Sequence, residues 1–130
     1  MKLFKSLSIL IVFLSTTISV AQSNKEIDCK ILKDIKLKYV DNPDKTAYVV
    51  IKDKKHVEYL KDGKYFIKSD LDWISVCEYN AKMTEITLPN FPFKAGEVMS
   101  VKFEKIENGF VFGTASVREA SFPVKFEIIK

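Results

Sequence analysis

From Ile35 to Ile128 apolar and polar side chains alternate with a period of two, and no segment of about ten residues carries a convincing helical stripe. The run Ile35-Lys36-Leu37-Lys38-Tyr39 sets the pattern: three apolar side chains share one face and two lysines share the other. That arrangement suits a strand with one buried face and one wet face. Turn chemistry cuts the alternation into short lengths. Asp41-Asn42-Pro43-Asp44 is a turn cluster, and Lys52 to Lys55 is a charged hairpin loop. Asp62-Gly63 and Asn108-Gly109 supply the positive φ that a tight hairpin needs. Between them, Ser75 to Thr87 is expected to run as one long strand, and Leu88 to Glu97 as a loop. The last strand is expected over Val124 to Ile128, with Pro123 near its start, where a missing N–H is tolerated. Cys29 to Leu37 is the one ambiguous segment, because Leu32 and Ile35 also suit two helical turns. The expected fold is all-β, a small antiparallel up-and-down β-barrel or rolled meander of about eight strands. Closure of the barrel removes the exposed edges that invite aggregation.

The N-terminus follows a different logic. Lys2 and Lys5 precede the apolar run Leu7 to Leu14, and a Ser/Thr-rich stretch leads to Ser19-Val20-Ala21. A charged start, a short apolar core and a small-x-small end describe a secretory signal peptide. The run is too short to span a bilayer, which takes about 20 apolar residues. Residues 1–21 are therefore expected to be the signal, 22–27 a flexible leader and 28–130 a single domain. No cysteine follows the apolar core directly, so a soluble protein is expected, exported to the periplasm or beyond the cell.

Removal of the signal takes two lysines and no acids, which leaves 19 basic against 17 acidic side chains. The remaining lysines alternate with acids, as in Lys102-Phe103-Glu104-Lys105. A nucleic-acid site needs a patch of one sign, so no nucleic-acid partner is expected. Cys29 and Cys77 in an exported chain are expected to form a disulfide, with two free thiols as the alternative. The bond would close a loop of about 49 residues, worth about 4 kcal/mol in the chain-entropy model.

The run Ser69-x-x-x-Trp73-x-x-x-Cys77-Glu78-Tyr79, together with the early Cys29 and the terminal strand ending in Lys130, resembles a pattern in small exported bacterial proteins of lipocalin-like β-barrel fold. The resemblance implies a barrel. Lipocalins carry a Gly-x-Trp motif on their first strand, whereas Trp73 lies mid-chain without that glycine, so a lipocalin ligand does not carry over.

Within such a barrel no catalytic residue, cofactor or metal site is expected. Asp70-x-Asp72 lacks the glycine and distal glutamate of a calcium loop, and solvated acids beside a turn are the plainer reading. Neither burial nor a like charge that would raise the pKa of Glu78 is legible, and His56 is expected at the surface with no nucleophile set by spacing. The aromatic side chains carry more. An eight-stranded barrel either fills its interior or holds one small ligand. Tyr39, Tyr79, Phe103 and Phe112 are the expected lining for a small apolar ligand, or else the plug that excludes one, Phe110 and Phe126 joining them. Phe91 and Phe93, in a loop stiffened by Pro89 and Pro92, are expected either to seal one barrel end or to dock a protein partner. Trp73 is expected to anchor the fold.

Overall fold

The computed structural model describes residues 28–129. The expected signal and leader, residues 1–27, lie outside this range, as does Lys130. A single 3-10 turn, Lys30–Lys33, precedes eight strands: β1 (Ile35–Tyr39), β2 (Tyr48–Lys52), β3 (Lys55–Leu60), β4 (Tyr65–Ser75), β5 (Glu78–Ile86), β6 (Val98–Glu107), β7 (Phe110–Val117) and β8 (Ala120–Ile128). Each strand pairs antiparallel with its sequence neighbours, and β1 pairs with β8 to close the barrel. Among the described residues no helix is long and apolar enough to cross a membrane.

Local chemistry explains the joints. Asp53 and Lys54 both take positive φ and form a two-residue turn that sets Lys52 opposite Lys55. Asn108 and Gly109 do the same between β6 and β7. At the β3–β4 joint, Lys61, Asp62 and Gly63 all have positive φ, so the Asp62-Gly63 signal lies within a longer loop. The β1–β2 connection is pinned to that loop by Asp44, whose carboxylate accepts hydrogen bonds from the Thr46 N–H (3.0 Å) and the Lys61 N–H (2.7 Å). The Thr46 hydroxyl also donates to this carboxylate (2.6 Å) and, ahead of the two N–H bonds, holds the Asp44 carboxyl below its ordinary pKa.

Two joints differ from the sequence reading. Ser75 to Thr87 is not one strand: the chain turns at Val76-Cys77, setting Ser75 opposite Glu78, and β5 begins only there. No glycine, proline or asparagine marks this turn; Cys77 is instead tied to Cys29 by a disulfide with a Cα–Cα distance of 5.2 Å. A hairpin at Arg118-Glu119 joins β7 to β8, with Arg118 at φ 54°. As a result β8 starts at Ala120 rather than near Val124, and Pro123 pairs with Thr114 inside the ladder.

The interior divides into two ends. At the disulfide end, Leu32 of the 3-10 turn and Cys29, which precedes it, sit fully buried in one cluster with Ile51, Val101, Phe103 and Val111 and close the barrel. Trp73 packs edge-on against Tyr79, with ring centroids 5.1 Å apart, and is half-buried beneath Lys33. At the other end a smaller cluster of Ala47, Leu60, Ile67, Met83 and Val117 is covered by the aromatic loop between β5 and β6. One strand pair approaches very closely: a Cβ on Gly113 would stand 2.5 Å from the Lys102 carbonyl oxygen, beside the β6 bulge between Phe103 and Lys105.

Candidate functional site, an interior cavity

Between the two clusters the barrel is hollow. A cavity of about 240 Å³ lies toward the end opposite the disulfide. For scale, a cavity of about 150 Å³ holds benzene, so this one takes a compact molecule somewhat larger than a single ring. Most of its wall is apolar, and five polar side chains break that wall: Tyr39, His56, Glu58, Ser69 and Tyr79.

The two-residue turn at Asp53-Lys54 places His56 and Glu58 here. With Lys52 paired to Lys55, Ile51 faces His56 and Val49 faces Glu58, so both polar side chains share the inner face of β3 with Leu60. Val57 and Tyr59 point outward, where Tyr59 stacks on Tyr48 of β2 at 4.9 Å. Across the next ladder His56 stands opposite Ser69, and Glu58 opposite Ile67. His56 is therefore an interior residue, not the surface residue that its charged neighbours suggested. Binary patterning failed because Val57 and Tyr59 of β3 face out while His56 and Glu58, with only Leu60 beside them, face in.

Burial governs the chemistry of this wall. The Glu58 carboxyl is raised to a pKa of about 7 by desolvation, opposed in part by the Tyr39 hydroxyl, which donates to it. His56 is lowered to about 4, again by desolvation, and is neutral near neutral pH. Its Nδ1 is buried and has no hydrogen-bond partner, the one such side-chain atom among the described residues. Burial also raises Tyr39 and Tyr79, and the Glu58 charge adds to it, so both remain phenols and hydrogen-bond donors. The His56 and Tyr79 rings lie 6.1 Å apart, and the Tyr39 ring packs on Phe126 at 4.8 Å.

The mouth is aromatic. Phe91 and Phe93 meet edge to face at 5.5 Å and, with Phe122 of β8, line the outer part of the cavity. Both loop rings are half-buried against the second cluster, so the loop folds over the barrel end. Thr87 anchors one side of it, accepting the Phe66 N–H at its hydroxyl (2.8 Å). Glu97 anchors the other: its carboxylate accepts the Lys94 N–H (2.6 Å) and both Nε and Nη2 of Arg118 (2.6 and 3.1 Å).

Of the residues expected to line a ligand site, Tyr39 and Tyr79 are in the cavity wall. Phe103 is buried in the disulfide-end core, where it packs on Tyr79 at 5.7 Å, and does not line the cavity. Phe112 is on the outer face between Lys105 and Lys125, as Phe110 is beneath Lys125, so neither fills nor lines the interior. The lysine stems shelter these outward rings, which is how two phenylalanines sit on a wet face. Asp70 is paired on the outer wall with Lys55 and Asp72 is exposed; among the described residues no three potential ligands converge on a metal position.

No protein-family model, no curated protein and no solved structure matches this chain. Its functional reading therefore rests on the geometry of the barrel.

Proposed function

We propose that the protein is an exported, non-enzymatic barrel that binds a small, largely apolar ligand in its interior. The carrying observation is the cavity itself: about 240 Å³, walled mainly by apolar side chains, with a few convergent polar groups and an aromatic mouth. That composition is typical of small-molecule sites, in which apolar contact gives affinity and a few polar groups fix orientation. The Cys29–Cys77 disulfide fits an oxidising compartment, and with the signal-like N-terminus it supports export. The polar groups do not form a nucleophile relay. Glu58 is engaged by Tyr39, and the unpartnered His56 Nδ1 receives none of the orientation that a catalytic base takes from a third group.

A panel of fluorescent apolar probes tests the proposal, read by emission and by melting temperature, since a ligand specific for the native state adds RT ln(1 + [L]/Kd) to stability. Binding is expected in the wild type and lost in Ala115→Leu, which fills the cavity from a fully buried wall position. If no probe binds or raises the melting temperature, the interior is not a ligand site.

A further inference from the structure

The wall of the cavity specifies the polar end of its ligand. Glu58 and His56 project from adjacent inward positions of β3, and among the described residues no lysine or arginine lines the cavity with them. Glu58 takes part in no ion pair among the described residues; Tyr39 of β1 alone donates to it, Tyr79 of β5 adds a second phenol, and Ser69 of β4 is uncharged. A neutral imidazole presents one lone-pair nitrogen, and the buried Nδ1 of His56 has no partner. A buried carboxylate without a counter-ion and a buried nitrogen without a partner are both costly to leave as they are. Around them stand the rings of Tyr39, Tyr79, Phe91, Phe93, Phe122 and Phe126, whose faces attract cations.

We propose that the ligand is a small hydrophobic amine, its apolar body in the cavity and its ammonium group donating to Glu58 and His56. This rests on the ligand-binding reading and narrows it. An ammonium supplies the missing positive charge and up to three N–H donors, whereas an alcohol supplies one donor and no charge. A ligand carboxylate would face Glu58 as a like charge. Because the bound cation favours the ionised carboxyl, amine binding below neutral pH releases a proton from Glu58.

Three ligands on one skeleton separate the possibilities: 2-phenylethylamine, 2-phenylethanol and phenylacetate, titrated calorimetrically into the oxidised protein. At about pH 8 the amine should bind at least about tenfold more tightly than the alcohol, and the acid should bind weakest. Below about pH 7 amine affinity should fall by up to about tenfold per unit, with proton release visible as a dependence of the heat on buffer, while alcohol affinity stays level. Glu58→Gln should erase the preference of amine over alcohol yet still bind the alcohol, which shows that the variant is folded and its cavity intact. Equal binding of amine and alcohol, or tighter binding of the acid, overturns the amine assignment and leaves the cavity reading in place. Failure of all three to bind overturns both.

Discussion

Arg118 grips Glu97 with two nitrogens and lays its guanidinium over the Phe93 ring, 5.2 Å from the centroid. One side chain from the β7–β8 hairpin thus holds the aromatic loop that covers the cavity. The pair holds the Glu97 carboxyl below and the Arg118 guanidinium above their ordinary pKa values. It is also open to solvent, where ion pairs contribute little stability and weaken with salt. Its effect should therefore be on motion of the loop. Arg118→Ala is expected to leave the melting temperature nearly unchanged while speeding amide exchange across residues 88–97 and raising the dissociation rate of a bound probe. Unaltered exchange in the loop would show that the ring contacts alone hold it.

The two titrating groups of the cavity should leave opposite marks on stability. Folding raises the Glu58 carboxyl from 4.5 to about 7, so the native state binds more protons than the unfolded state between those values. Stability from this source falls as pH rises through that window. Folding lowers His56 from 6.5 to about 4, so here the unfolded state binds more protons, and stability falls as pH drops through 6.5 to 4. Between about pH 4.5 and 6.5 the slopes nearly cancel. Glu58→Gln leaves His56 unopposed. Relative to wild type, the variant should lose stability on acidification across this range, by at most about 3 kcal/mol, measured by urea unfolding at several pH values. Parallel curves for the two proteins would place the Glu58 carboxyl in water.

Tyr39 donates to Glu58 and so favours its ionised form. Tyr39→Phe should raise the Glu58 pKa above the wild-type value, as followed by the side-chain carboxyl resonance on titration. A downward shift would contradict the hydrogen bond.

Gly113 tests the closest backbone approach in the barrel. With the Lys102 carbonyl 2.5 Å from where a Cβ would stand, Gly113→Ala must push β6 from β7 or distort the bulge. Overpacking of this kind costs about 1–3 kcal/mol. Thermal unfolding should show that loss, whereas the same change at Gly63, where no atom lies within 4 Å, tests only the cost of positive φ.

Removal of the disulfide by Cys29→Ser with Cys77→Ser should cost about 4 kcal/mol, because a sequence separation of 48 residues would again be free in the unfolded chain. Exchange should rise first in the 3-10 turn and at the β4–β5 hairpin, which the bond joins. Loss confined to the mouth would mean that the bond braces the barrel in another way.

Much of this architecture is legible from period and turn chemistry. The alternation of Ile35 to Tyr39 and the Asn108-Gly109 turn lead to a barrel of eight antiparallel strands. The cysteine pair is legible from its count alone. The cavity wall is not, and the reason is parity. A residue's face depends on the register of its hairpin, and a one-residue difference in the turn reverses every side chain. At β3 the signal was present: Leu60 is apolar and shares parity with Glu58 and His56, and the Asp53-Lys54 turn pairs them with Val49 and Ile51. Val57 and Tyr59, two apolar residues of the opposite parity, outweighed it. At β7 the two phenylalanines outranked Val111 by size, although Val111 is the residue fully buried. At Val76-Cys77 the turn has no local signature, because a covalent bond from a distant residue holds it.

The closing seam also decides which way the molecule faces. Leu37 pairs with Ile128, and the Ile129 N–H donates to the Lys36 carbonyl at 2.9 Å, so β8 finishes beside the start of β1. Both ends of the described chain leave from the disulfide-closed base, on the side opposite the aromatic mouth. A tether, fusion partner or solid support attached at either end would hold the barrel upright with its opening toward solvent. The shared exit end also suits a circular permutant: residue 129 joined to residue 28 by a flexible linker across the base, with new ends cut at the exposed Asp53-Lys54 turn.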